Sequence, residues 1–268
     1  MEGFDREKTG ADDTVGLQFR KKDMFSSNSM KRTSDWIFSQ EVQSDLTVQV
    51  GDTSFSLHRF PLVSKSGYVR KLISESTDDD LVSIDIPDVP GGAPAFELAM
   101  KFCYGVNFEI SMENIALLRC VAEHLEMTEE YAVGNLVGRT EAYLAEVAFK
   151  SLSGAISVLH SSENLLPVAE EVKLVSRCID AIAYLVCKDN QFAMPIEGVH
   201  TPHHKPIVDW WAEDLTLLRI NFFQRVLVAM MARGLKQYAL GPILMLYAQK
   251  SLRGLVRPLP VYTSFSLK

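Results

Sequence analysis

His200, His203 and His204 form the densest group of side chains in this 268-residue chain that could hold a metal. Zinc in such a group needs a third or fourth ligand on a rigid frame. The surrounding stretch, KDNQFAMPIEGVHTPHHKPI, offers neither a cysteine near the histidines nor an apolar period that would make it regular structure. Cys103, Cys120, Cys178 and Cys187 are widely spaced, form no CxxC pair and sit in apolar helical patterns. That is the usage of reduced core thiols in an intracellular protein. A phosphate loop G-x-x-x-x-G-K-[ST], a G-x-S-x-G elbow, an H-E-x-x-H helix and a G-x-G-x-x-G turn after a strand are all missing. The sequence therefore assigns no catalytic, cofactor-binding or metal-ligating residue, and the chain is expected not to be an enzyme.

A formal net charge of -7 and a pI near 5.4 argue against broad nucleic-acid binding, because that affinity rests on neutralising phosphates. With 47% hydrophobic and 23% charged residues the chain has the composition of a globular protein, and its length fits two domains. No run approaches the ~18 apolar residues of a membrane span, and the N-terminus lacks the apolar core of a secretory signal. Residues 1–35 mix both charge signs with Gly, Ser and Thr and read as a mobile arm. Within it, Arg20-Lys21-Lys22 and Lys31-Arg32 read as tail charge rather than an import signal, and Lys31-Arg32-Thr33-Ser34 would suit a basophilic kinase.

The frame that positions everything else begins at SDLTVQVGDTSFSLHR. Leu46, Val48 and Val50 alternate with Thr47 and Gln49, Gly51-Asp52 offers a tight reversal, and Phe55 and Leu57 resume the alternation. This predicts a β-hairpin with one buried face. Phe60, Val63, Tyr68, Leu72 and Ile73 follow at helical spacing, and Val82, Ile84 and Ile86 read as a third strand stopped by Pro87. A helix is expected over 93–104, opened by Pro94 and closed by Gly105. Ser111 is placed to cap another helix, lined by Ile115, Leu118, Val121, Ala122 and Leu125, and Leu136, Tyr143, Leu144 and Val147 give the next. Residues 153–160 and a single helix over 168–187, striped by Val168, Val172, Val175, Ile179, Ile182 and Val186, are expected to pack back on the first domain. Trp211, Leu215, Leu218, Phe222, Val226 and Ala229 predict one long helix ended by Gly234, followed by a shorter one from Pro242 to about Leu252. So small an apolar fragment needs a neighbour to fold.

The blocks SDLTVQVGDTSFSLHRFPLVSKSGYVRKLI, IPDVPGGAPAFELAMKFCYG and NIALLRCVAEHLEMTEEYAVGNL resemble the BTB/POZ domain of the plant non-phototropic-hypocotyl and root-phototropism-like family. DWWAEDLTLLRINFFQRVLVAMMARG resembles the opening of that family's second domain, and the likeness runs from Trp36 to Leu255. It implies an α+β protein: a BTB/POZ domain of a small sheet with helices over 36–150, a helical extension over 151–187, a linker over 188–208, an incomplete all-α domain over 209–255 and an irregular tail over 256–268. In the family the second domain continues and a coiled coil commonly follows, so VRPLPVYTSFSLK reads as a C-terminal truncation.

The resemblance also assigns sites. Trp36, Ile37, Phe38 and Val42 place apolar side chains just before the first strand, where they either cover the sheet or are buried by a partner. In BTB domains this segment contributes to dimerisation, as homodimer or as heterodimer with other BTB proteins. Asp45 and Arg59 match a charged pair at the base of the dimer groove, which serves either a partner or the fold alone. Ile73-Ser74-Glu75 matches the hydrophobic-x-Glu motif of cullin-3 adaptors, expected in the loop between the helix and the third strand; the plain alternative for Glu75 is a solvated glutamate ahead of Asp78-Asp79-Asp80. The implied function is a non-catalytic substrate adaptor of a cullin-3 ubiquitin ligase in light or other signal responses. The alternatives are a BTB-dimerising signalling scaffold without cullin, or a shortened partner that inhibits full-length relatives. The expected location is intracellular and cytoplasmic, with recruitment to the plasma membrane or nucleus only through partners.

Overall fold

The computed structural model describes residues 43–75, 83–106, 109–192 and 210–252. The chain divides into two compact units, Met1–Glu109 with Val121–Val137 and Ile110–Cys120 with Gly138–Lys268.

In the first unit β1 (Leu46–Val50) pairs antiparallel with β2 (Thr53–Leu57), Leu46 opposite Leu57 and Val50 opposite Thr53. Gly51 takes φ 56° in the two-residue reversal, a conformation that costs glycine little. The short β3 (Ser83–Asp85) runs parallel to β1 with Val48 opposite Ile84, giving the order β2-β1-β3. Leu46, Val48, Val50, Leu57, Ile84 and Ile86 are all buried, as the alternation requires, and the Phe55 ring lies 5.1 Å from that of Phe96.

The helical stripe drawn through Phe60 and Ile73 is corrected by the structure. Two helices occupy it, α1 (Arg59–Val63) and α2 (Gly67–Glu75), and the residues that enter the core are Leu62 and Val69, while Phe60 is 83% exposed. The break is made by serines. Ser64 Oγ donates to the Pro61 carbonyl, and the buried Ser66 Oγ donates to the Leu125 carbonyl while accepting from the Val69 amide. Ser66 thus satisfies a first-turn amide of α2 that has no partner inside the helix. Next come α3 (Gly92–Cys103), entered through Gly91 at φ 79° and left through Gly105 at φ 68°, then α4 (Ile115–His124) and α5 (Leu136–Glu146), whose residues 115–120 and 138–146 belong to the second unit. Ile115, Leu118, Val121, Ala122 and Leu125 are fully buried, as the spacing predicts.

The second unit continues through a 3-10 turn (Ala148–Lys150), α6 (Leu152–Ser162), a second 3-10 turn (Glu163–Leu165), α7 (Val168–Glu171) and α8 (Leu174–Phe192). After residue 209 it adds 3-10 turns at Trp210–Ala212 and Asp214–Leu217, then α9 (Ile220–Ala232) and α10 (Gln237–Leu252).

Four expectations change here. The helix drawn over 168–187 is two, because Lys173 takes φ 58° between α7 and α8. Helix α8 runs on through Phe192, so residues 188–192 are helical rather than linker. The long helix from Trp211 is interrupted at Leu218 and Arg219, whose extended backbones hand the chain to α9. Pro242 lies inside α10 rather than opening it, since Gln237–Leu240 form a turn ahead of it, with Ala239 and Leu240 packed against the core.

The pair α6 and α8 shares one continuous core with α9 and α10. Ile156, Leu159, Val175, Ile179 and Ile182 belong to the same buried cluster as Trp211, Leu215, Phe222, Phe223, Val226 and Ile243. The two C-terminal helices could not bury this surface alone, which is why they need a neighbour. Ion pairs reinforce the packing: Glu163 with Arg219, Glu170 with Arg225, and Asp180 with Arg233 at 3.5 Å.

Candidate protein-interaction site

Two stretches of the first unit carry the residues singled out from sequence. At the end of the hairpin the Arg59 amide donates to Asp45 Oδ1 at 2.8 Å, and the Asp45 amide donates to the Leu57 carbonyl at 3.2 Å. Asp45 and Arg59 are therefore brought together, with the Asp45 carboxylate accepting from the Arg59 backbone as β2 gives way to α1. Beside it the His58 amide donates to the Tyr104 hydroxyl at 2.7 Å, with His58 Nδ1 at 3.2 Å from the same oxygen. Burial pushes the Tyr104 phenol up to about 12, so the hydroxyl stays protonated at neutral pH. This network holds the strand end rigid. Phe60, the next residue after Arg59, stands in solvent from a fixed base. Trp36, Ile37, Phe38 and Val42 lie outside the described residues.

The second stretch is Ile73–Glu75 of α2. Glu75 is exposed and Ile73 half-buried. Both belong to α2 (Gly67–Glu75), so the motif stands in a helix and not in a loop as expected. Helical geometry puts Ile73 and Glu75 about 200° apart around the axis, so one side chain leans toward the core while the other points to solvent. Further back on α2, Lys71 Nζ meets Glu126 Oε1 at 2.7 Å, and the Arg70 guanidinium lies 5.1 Å from the centre of the Tyr131 ring. That ring fills the space over Gly67 where a Cβ would stand. The segment after it is fixed by Glu129, whose carboxylate accepts from the amides of Gly134 and Asn135, and by the Asn135 side chain, which donates to the carbonyls of Lys65 and Thr128. Val133, 99% exposed, is displayed on this ordered loop.

Phe60 and Val133 were not found by sequence reasoning. Apolar residues are assigned to the core by periodicity, and only the fold reveals the exceptions; the single available signal was Pro61, which shortens the helix around Phe60. Among the described residues no group of three His, Cys, Asp or Glu side chains is placed to hold a metal ion, and His200, His203 and His204 lie outside them. No helix among the described residues is long and apolar enough to cross a membrane.

The hairpin, the parallel third strand and the helices around them coincide with residues 35–137, which match the family model of the BTB/POZ domain, and residues 209–266 match that of the NPH3 family. The chain is a BTB/POZ protein of the NPH3 family. Its relatives in Arabidopsis thaliana include the BTB/POZ domain-containing protein SR1IP1, 66% identical over 248 residues that make up 89% of this chain and 41% of that protein. Root phototropism protein 2 is 47% identical over 231 residues, covering 86% of this chain and 37% of its own length. The BTB/POZ domain-containing protein SETH6 is 48% identical over 242 residues, or 87% and 37%. The chain thus spans about two-fifths of the length of these relatives. BTB/POZ domains are protein–protein interaction modules, and NPH3-family proteins are adaptor-like. The NPH3 match begins at residue 209, but the core it joins begins near residue 110, so the folding unit around it is wider than the matched segment.

Proposed function

We propose that this protein is a non-catalytic substrate adaptor of a cullin-3-based ubiquitin ligase, dimerising through its BTB/POZ domain and recruiting target proteins through the helical second unit. The observation that carries the reading is the solvent-facing Glu75 on α2, two residues after the half-buried Ile73. A cullin surface presenting a basic residue would meet the carboxylate at the rim of an apolar contact. Catalysis would come from the ligase; the adaptor would raise the local concentration of the target, and a dimer would add avidity. Trp36, Ile37, Phe38 and Val42 remain the proposed dimer contacts, with Asp45 and Arg59 at the base of that interface. The name of Root phototropism protein 2 supports placing the process among light or other signal responses.

A second reading, a BTB-dimerising scaffold that binds no cullin, is favoured by the helical placement of Ile73-Ser74-Glu75, which departs from the loop placement of the adaptor motif. Titrating the whole chain with the N-terminal region of cullin-3, with light scattering alongside, separates the two. The whole chain is required because residues 110–120 and 138–150 belong to the second unit. Micromolar or tighter binding that weakens at least tenfold on Glu75→Ala supports the adaptor. A dimer without cullin affinity sinks it and leaves the scaffold.

A further inference from the structure

Helix α2 is seated on the end of α4. The amides of Gly67 and Tyr68, in the first turn of α2, donate to the carbonyls of Glu126 and Leu125 at 3.2 and 3.3 Å, and Ser66 Oγ donates to the same Leu125 carbonyl at 2.8 Å. First-turn amides have no acceptor inside their own helix, so the two residues that follow His124 supply what α2 needs to start. Lys71 Nζ closes the joint on Glu126 Oε1 at 2.7 Å. Glu126 is held there at φ 51°, in the left-handed region that a glutamate rarely adopts.

His124 is the last residue of α4, and its ring stands between α2 and the turn after β3. On one side it lies 5.5 Å from the Tyr68 ring at an interplanar angle of 34°. On the other, the Pro87 carbonyl accepts a hydrogen bond from it and Asp88 adds a negative charge. Nε2 is buried and meets no hydrogen-bond partner among the described residues, which makes Nδ1 the donor to Pro87 and assigns the tautomer. The neutral ring tolerates this arrangement, because its bare nitrogen is only an unused acceptor. The imidazolium does not, since both nitrogens then carry protons and the second faces a site closed to water.

We propose that His124 is a pH-sensitive latch on α2: its neutral ring lets the helix seat on the end of α4, and its protonation unseats the helix. The charged ring finds a second acceptor only by leaving the Tyr68 contact, and the joint that starts α2 loosens with it. Burial is the largest influence on His124 and lowers its pKa from the ordinary 6.5, while Asp88 and the Pro87 carbonyl push the other way and are outweighed. Lys71, the charged group of α2 at the joint, is engaged by Glu126. The latch is fully closed above the unfolded pKa near 6.5, and its contribution is lost as pH falls from there through the lower folded value. Ile73 and Glu75 lie on the same helix, so the effect on a partner rests on the adaptor reading, whereas the latch itself does not.

The test is hydrogen exchange of the whole chain at about pH 7.5 and pH 5, with protection corrected for the intrinsic exchange rate at each pH. Two proteins are compared, the unmodified chain and His124→Gln, which stays uncharged and keeps a donor for the Pro87 carbonyl. Between the two pH values, protection of residues 69–75 should fall about threefold or more relative to β1 in the unmodified chain, and should not do so in the variant. The His124 Cε1–H resonance of the unmodified chain, assigned by its loss in the variant, should titrate below 6.5. Neither readout involves cullin, so failure of the adaptor and failure of the latch are seen separately. A resonance titrating at or above 6.5, an α2 that keeps its protection at the lower pH, or one that loses it equally in His124→Gln would each overturn the proposal.

Discussion

Glu163 is the joint on which the C-terminal helices hang, and its removal has a calculable consequence. Its side chain is 5% exposed; Oε1 accepts from the Arg219 amide at 2.8 Å, Oε2 faces Arg219 Nε at 2.8 Å, and His160 Nδ1 stands 3.7 Å from Oε1. Arg219 is the residue that opens α9, so the carboxylate satisfies an amide at the point where the expected long helix is broken. A hydrogen bond to a charged group is worth about 1.5–3 kcal/mol, and removing one member of a buried pair about 3–5 kcal/mol. The upper figure does not apply, because the Arg219 side chain is 60% exposed and rehydrates when its partner is lost. Glu163→Ala should therefore destabilise the second unit by about 2–3 kcal/mol. Glu163→Gln keeps an acceptor for the Arg219 amide and should cost about 1 kcal/mol. Urea unfolding followed by tryptophan fluorescence reads this out, since the buried Trp211 lies in the same core. At about 1–3 kcal/mol per molar urea, the alanine variant should shift the midpoint by about 1 M. An alanine variant within 0.5 kcal/mol of the parent (about 0.2–0.5 M in midpoint), or a glutamine variant as damaged as the alanine one, would refute the reasoning.

Gly154→Ala tests a contact that propensity alone would get wrong. Alanine should favour α6 by about 1 kcal/mol, but its Cβ would come 2.5 Å from the Ala148 carbonyl oxygen and 2.7 Å from the Ser151 Oγ that caps the helix. A net loss of about 1–3 kcal/mol is expected in the same urea assay, and a gain would show that the turn yields. The acid limb of stability should depend on Glu141. Burial alone would raise its carboxyl, but hydrogen bonds from Arg119 Nε and Arg177 Nη1, each at 2.6 Å, outweigh it and hold the pKa below the ordinary 4.5. A depressed carboxylate stabilises the fold above its unfolded pKa, and this is lost as pH falls through the lower folded value. Urea midpoints measured from about pH 5 down to 3 should fall less steeply for Glu141→Gln; equal slopes would remove Glu141 from the account.

The sequence by itself determined the local elements and the family. Alternation in LTVQV and TSFSL, the glycine reversal at Gly51 and the apolar line from Ile115 to Leu125 are short-range signals, and each element they imply is present. The break between α1 and α2 at Ser64–Ser66 and the break at Leu218 and Arg219 were not legible. They depend on partners far along the chain, such as Leu125 for Ser66 and Glu163 for Arg219. Nor does periodicity say which of two apolar faces meets the core. Phe60 belonged to a helical stripe on paper and stands in solvent, while α10 carries apolar residues on both sides and only packing shows which is covered. Propensity and period act over a few residues, whereas exposure is a property of what the rest of the chain brings alongside. The residues available to a partner were for that reason decided by the tertiary structure.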